Sequence, residues 1–250
     1  MEDQQLESIQ NHRVAGLLIV TSGGDGRRLK MIQGSGIPVV ALDRPLVGLQ
    51  ADAVLVENRE CAEQGVRHLI EHGHKKIACV GFDSGSCTVR ERIEGYNLAM
   101  RRAGLQPILC TNVGNLEAMQ ALALRWSASK DRPTAAFSLK RISSVYLIQA
   151  LHLHKLRIPE DIAVVGFDDF ELAEVLGTPL TVVRQTPTGM ARGRRASLKE
   201  SRQSARDTGR GRAKSKDAVS HRSDYSTVMR LPREYRRLVL FYFSLTLTTK

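Results

Sequence analysis

Apolar runs of strand length, each closed by polar residues, recur along the first three quarters of the chain. Residues 17–20 lead into Thr21, Ser22 and Asp25. Residues 37–42 end at Asp43-Arg44, and residues 77–82, IACVGF, end at Asp83. Residues 162–167, IAVVGF, end at Asp168-Asp169, so the last two runs nearly duplicate each other. Continuous apolar runs read as strands buried on both faces of a parallel sheet. The stretches between them carry helical periodicity, at about 26–34, 59–72, 89–103, 115–127 and 142–155. Strands alternating with helices predict an α/β fold with doubly wound parallel sheets.

Local signals place the boundaries. Gly73 and Gly104 follow apolar helical stripes, as C′ glycines do. Thr88-Val89-Arg90-Glu91 has the spacing of a capping box, with Thr88 as N-cap. Residues 53–57 read as a short edge strand, 105–110 and 135–137 as further strands, and 2–12 as a helix end. Asp169 is placed to cap a short helix over 170–176. Beyond Gln185 the pattern stops. Residues 191–217 are Arg, Lys, Ser, Gly and Asp with almost no large apolar side chain, a composition too poor in apolar surface to offset ordering entropy. The apolar run 238–243 has no evident role in this reading.

Charge sharpens that division. Residues 1–185 carry 21 Lys+Arg against 21 Asp+Glu, and residues 186–250 carry 16 against 5, so the whole net charge of +11 belongs to the last stretch. A basic pI therefore gives no argument for nucleic-acid binding by the folded part. The four cysteines, Cys61, Cys79, Cys87 and Cys110, form no CxxC or short Cys/His spacing, and Cys79 reads as a small buried hydrophobe. No secretion signal or run of membrane-spanning length is evident, which makes a reducing cytoplasm the expected compartment.

In open α/β sheets, ligands bind beyond the carboxyl ends of the strands. Asp168 and Asp43 stand at such ends, where a carboxylate accepts hydroxyl or N–H donors; for Asp43 the alternative is local pairing with Arg44. Arg90 and Arg92 fall in the first turn of the helix after the third run. Cations there oppose the helix dipole, which points to recognition of hydroxyl, carboxylate or phosphate groups, or else to pairing with Glu91 or Glu94. His68 and His72 have i,i+4 spacing but no further ligand type in a defined motif, so no metal site is expected. Walker, GxGxxG and GxSxG motifs are absent, so no cofactor and no catalytic residue set is expected, and the chain reads as a binder rather than an enzyme.

Several segments together resemble the effector-binding region of LacI/GalR-family transcription regulators. They are RVAGLLIV, GIPVVALDRP, HLIEHGHKKIACVGF, RERIEGYNLAMRRAGL, RPTAAFS, LRIPEDIAVVGFDDFELA and TPLTVVRQ, in family order over residues 13–185. The resemblance implies a two-lobed, periplasmic-binding-protein-like fold with a sugar, nucleoside or similar polar effector held between the lobes. It implies a homodimer that meets DNA only through a head domain, and no membrane. Its ligand contacts fall on Asp43, Thr88, Arg90, Arg92, Asp168 and Gln185. At Lys140 the family commonly has Asn, and a Lys there suits a phosphate or carboxylate effector or points to solvent.

The same comparison divides the chain into a partial N-terminal lobe at 1–74, a C-terminal lobe at 75–180 and a crossover remnant with a basic, disordered tail at 181–250. The resemblance leads us to expect a chain without the family's head, hinge helix and first β-α-β unit, and hence an incomplete N-terminal lobe. The sequence after Gln185 resembles translation in a shifted frame. The leading expectation is the sensing portion of a regulator. The alternatives are a solute-binding protein of a sugar transport system and a truncated, non-functional gene product.

Overall fold

The computed structural model describes Leu6, residues 14–21, 26–168 and 180–183, and the backbone of three short strands beyond. Two compact units are present, one built from residues 1–56, 187–214 and 224–250, the other from 57–186 and 215–223.

The first unit has a five-stranded parallel sheet. Strands β1 (Leu17–Val20), β2 (Val39–Asp43) and β3 (Asp52–Val56) come from the predicted runs. The β9 strand (Arg210–Ala213) pairs with β3, and β11 (Val239–Tyr242) pairs with β1, in the order β11-β1-β2-β3-β9. The stretch 53–57 is therefore an interior strand rather than an edge. The apolar run near the C-terminus, to which sequence gave no role, supplies a parallel neighbour for β1. Helix α1 (Arg27–Gly34) buries Leu29 and Ile32 against Leu6, Leu17, Ile19 and Val39.

The second unit has six strands in the order β10-β8-β7-β6-β4-β5. These are β4 (Ile77–Val80), β5 (Ile108–Cys110), β6 (Ala135–Ser138), β7 (Ala163–Phe167) and β8 (Thr181–Val183), with β10 (Val219–Ser220) antiparallel to β8 and the rest parallel. The near-duplicate runs become β4 and β7, which flank β6. Strand side chains alternate between two helical layers, as the pleat requires. Cys79, Phe137, Val165 and Phe167 meet helices α2 (Asn58–Glu71) and α3 (Cys87–Arg102). Ala78, Val80, Ala136 and Val164 meet α4 (Leu116–Ala128) and α5 (Arg141–Leu153). Because α2 packs in this unit, the chain divides at Val56, not at residue 74 as the sequence suggested.

Helix ends follow local chemistry. Gly73, at φ 88°, closes α2 with bonds from Gly73 N to Ile70 O and His74 N to Leu69 O, the Schellman pairing. Asn115 caps α4 by accepting from Ala118 N at 2.8 Å. The α3 start differs from expectation. Ser86, at φ −67° and ψ 135°, is its N-cap, and Arg90 N already donates to Ser86 O at 3.0 Å. Thr88 is thus inside the helix, where its hydroxyl lies 2.8 Å from that of Ser86, and no capping box forms with Glu91.

Two close contacts tie helices to their neighbours. A Cβ at Gly95 of α3 would collide with the Arg59 carbonyl oxygen of α2 and stand 2.9 Å from Ala62 Cβ, so only glycine allows this approach. Tyr96 is fully buried; its hydroxyl donates to Ile77 O at 2.8 Å and accepts from Ile108 N at 2.7 Å, joining β4 to β5. Burial pushes the Tyr96 hydroxyl and the Cys79 thiol well above their ordinary pKa values. Cys79 is accordingly an inert apolar filler. Among the described residues no helix is long and apolar enough to cross a membrane.

Candidate functional site

At the carboxyl end of the second unit's sheet, the residues that end strands and begin helices converge on Arg92. This side chain is almost wholly buried, and a buried cation is tolerated only when its donors are met. Its Nε donates to Asn58 Oδ1 at 2.9 Å, at the start of α2. Its Nη1 donates to Leu139 O at 2.8 Å, in the turn from β6 to α5, and to Asp168 Oδ2 at 3.3 Å, at the end of β7. Its guanidinium carbon lies 3.7 Å from the centre of the Phe167 ring, a cation–π stack. One side chain therefore links two helices and two strand ends.

Asp168 is the open side of this arrangement, with 31% of its side chain exposed. Its backbone has φ 69° and its N–H donates to Val183 O at 3.0 Å. A left-handed backbone at an aspartate is uncommon, and such positions cluster at ligand sites. Breaking a buried ion pair typically costs about 3–5 kcal/mol, and the solvent reaching Asp168 lowers that here.

Thr88 is buried beside Ser86 on the first turn of α3. Arg90 lies one turn into α3, exposed, with no ion pair among the described residues. Because α3 begins at Cys87, Arg90 is its fourth residue, at the close of the first turn, and Arg92 lies beyond it. The dipole argument lapses for Arg92, which is held by Asp168 and Leu139 instead of Glu91 or Glu94. Lys140 is the N-cap residue of α5, and its Nζ donates to Ser84 Oγ at 3.1 Å. Lys140 follows Leu139, and Ser84 lies in the turn before α3, so Lys140, Thr88, Arg92 and Asp168 share one sheet edge. Gln185 and Asp169, with the helix proposed for 170–176, lie outside the described residues.

Asp43 belongs to the first unit. It ends β2 at φ 67°, with Arg44 N donating to Leu42 O at 2.8 Å across it, a tight three-residue turn. Arg44 Nη2 stands 3.4 Å from Asp43 Oδ2, the local pairing that sequence offered as its alternative. Arg44 Nε is buried and has no hydrogen-bond partner among the described residues. Two strand-end aspartates, one in each unit, thus share the same unusual backbone.

Sequence reasoning missed Asn58, Ser84, Ser86 and the Leu139 carbonyl. Asn58 and the two serines each stand between a strand end and a helix start, a position that was the available signal; a backbone carbonyl leaves none. His72 Nδ1 lies 2.8 Å from the His68 carbonyl, a bond to its own helix. Among the described residues no three His, Cys, Asp or Glu side chains gather as a metal site.

Comparison with known proteins gives a consistent set of likenesses. Residues 66–197 match a periplasmic binding protein-like domain family. The chain is 34% identical over 188 residues to the HTH-type transcriptional repressor PurR of Photobacterium profundum, covering 72% of this chain and 55% of that protein. It is 33% identical over 187 residues to the ribose operon repressor of Escherichia coli K12, covering 73% and 57%. The chain thus spans little more than half the length of these curated relatives. A LacI-family regulator from Enterococcus faecium, solved with bound ribose, superposes with a TM-score of 0.71 at 22% identity, covering 84% of this chain and 79% of that one. At that identity the likeness is one of fold.

Proposed function

Since the chain belongs to the periplasmic binding protein-like domain family, in the branch found in LacI-type regulators, we propose that it is the effector-sensing portion of a transcription regulator. Its effector is a small polyhydroxylated molecule of the sugar or nucleoside class. The observation that carries this reading is the Arg92–Asp168 pair: a buried cation presenting a partly exposed carboxylate at the end of β7. Such a carboxylate accepts two hydroxyl donors, and the donor groups of Thr88 and Lys140 on the same edge, with the exposed guanidinium of Arg90 on the same helix as Thr88, suit hydroxyl oxygens. Asp43 and Gln185 complete the contact set that the family resemblance implies. The ribose operon repressor among the relatives makes a pentose the first ligand to try.

In this reading the chain binds and does not catalyse. Ligand acts by favouring one of two conformational states, and regulation is the difference in its affinity for them. Pairing with a second copy, cytoplasmic residence and DNA contact through a separate head belong to the same proposal.

Thermal melts of the whole chain with ribose, other pentoses, hexoses and nucleosides test it. A true effector at about 100 times its Kd adds about 2.7 kcal/mol of stability and raises Tm. Asp168→Asn should reduce that rise while the free protein still melts cooperatively. A cooperative melt that no member of the panel shifts overturns the reading.

A further inference from the structure

We propose that Asn58 is a positioning residue of the effector-binding edge, acting through Arg92 and never touching ligand itself. The inference rests on the sensing function proposed above and concerns what holds its central cation in place. Asn58 is only 1% exposed, so neither solvent nor a bound molecule reaches its side chain. Its Oδ1 accepts from Arg92 Nε at 2.9 Å, and its Nδ2 donates to Glu91 Oε2 at 3.4 Å. The second bond fixes which way the amide faces and so turns its oxygen toward the arginine. Arg92 Nε is then committed. The guanidinium plane is set by that bond and by the Phe167 ring 3.7 Å away. With the plane set, Nη1 reaches both Leu139 O and Asp168 Oδ2.

Removing the Asn58 oxygen leaves a buried N–H unmet and frees the guanidinium to turn. Asp168 and the turn carrying Lys140 then lose a fixed partner together. Position adds meaning to this contact. Asn58 is the second residue after Val56, where the chain leaves the first unit. The anchor of the binding edge is thus set at the crossover itself.

Two readouts on the whole chain test the proposal. The first needs no ligand: the Arg92 Nε–H proton, assigned by its loss in Arg92→Lys, is followed by NMR. It should exchange slowly in the wild type, exchange fast in Asn58→Leu, and regain protection in the double variant Asn58→Asp/Glu91→Gln. That pair keeps an acceptor for Arg92 and reverses donor and acceptor between positions 58 and 91. The second readout is ribose titration by calorimetry. Asn58→Leu should weaken binding by about 10- to 100-fold, the loss expected for one hydrogen bond to a charged group. The double variant should recover to within about threefold of wild type.

A slowly exchanging Nε–H in Asn58→Leu overturns the proposal, as does wild-type ribose affinity in that variant or a double variant as weak as the single. Should Asn58→Leu not melt cooperatively, Asn58→Ser, whose hydroxyl is too short to reach Nε, replaces it with the same expectations. If the wild-type chain binds neither ribose nor any other member of the panel, the sensing function fails, and the exchange of the Arg92 proton still decides the role of Asn58.

Discussion

Asp161 shows how one carboxylate can make a turn sensitive to acid. It accepts from Arg157 N at 2.9 Å and Arg157 Nε at 3.0 Å, and it pairs with Arg132 at 3.2 Å. The backbone bond from Arg157 leads the causes that hold its pKa below the ordinary carboxylate range, followed by the Arg157 side chain. A carboxylate with a depressed folded pKa contributes stability above its unfolded value, and that contribution disappears as pH falls through the folded value. Asp161→Asn should therefore lower Tm at neutral pH. The gap from wild type should close as pH is taken from about 4 downward, near and below the usual aspartate pKa. Circular-dichroism melts across that range check it, and a gap that stays constant with pH would contradict it. At this scale the charges of the second unit's candidate site were legible in part. Asp168 and Arg92 announced themselves as charges at a strand end and near a helix start. Arg92 was legible as a participant but not as a buried anchor, because burial depends on Asn58, Leu139 and Phe167, which lie far from it in sequence.

At the scale of elements, the α2–α3 pair is the part that holds the site. Gly95 lies almost one turn beyond Arg92, and Arg59, whose carbonyl it approaches, adjoins Asn58. Gly95→Ala should push the helices apart, costing about 1–3 kcal/mol as overpacked interiors do. Urea unfolding should show this as a lower midpoint, and ribose affinity should fall with it because Arg92 moves. Wild-type stability in this variant would show that the helices part without strain. The strands and helices of 58–168 were read to within a few residues, since the apolar periodicity that reveals them is also what buries them. The α3 cap was misplaced by two residues. Ser86 and Thr88 are both favoured cap residue types, and Ser86, which follows the turn where Asp83 Oδ1 accepts from Gly85 N at 2.9 Å, takes the position. Strands β9 and β10 were illegible because nothing in Arg210–Ala213 or Val219–Ser220 has an apolar pattern.

For the whole molecule, the net charge is concentrated in one stretch of the chain. The net charge of +11 sits entirely in residues 186–250. The chain should therefore bind polyanions without sequence preference, and binding should weaken steeply between about 50 and 200 mM salt. Retention on heparin or arbitrary duplex DNA measures it. Exchanging the arginines and lysines of 191–217 for glutamine should abolish most of it, whereas Arg90→Gln should not. Retention unchanged by the first exchange would place the polyanion surface elsewhere on the chain. The order of β11 beside β1 has a consequence in time. The pairing of Leu17 with Val239 joins strands from either side of the second unit's main run, residues 57–186. On the ribosome that run emerges whole and can condense early through local helix and strand contacts. The first unit, although β1, β2 and β3 are made before that run, must wait for β11, made after it, before its sheet is complete. Synthesis runs from one end of the protein to the other, and the finishing order runs from the middle outward.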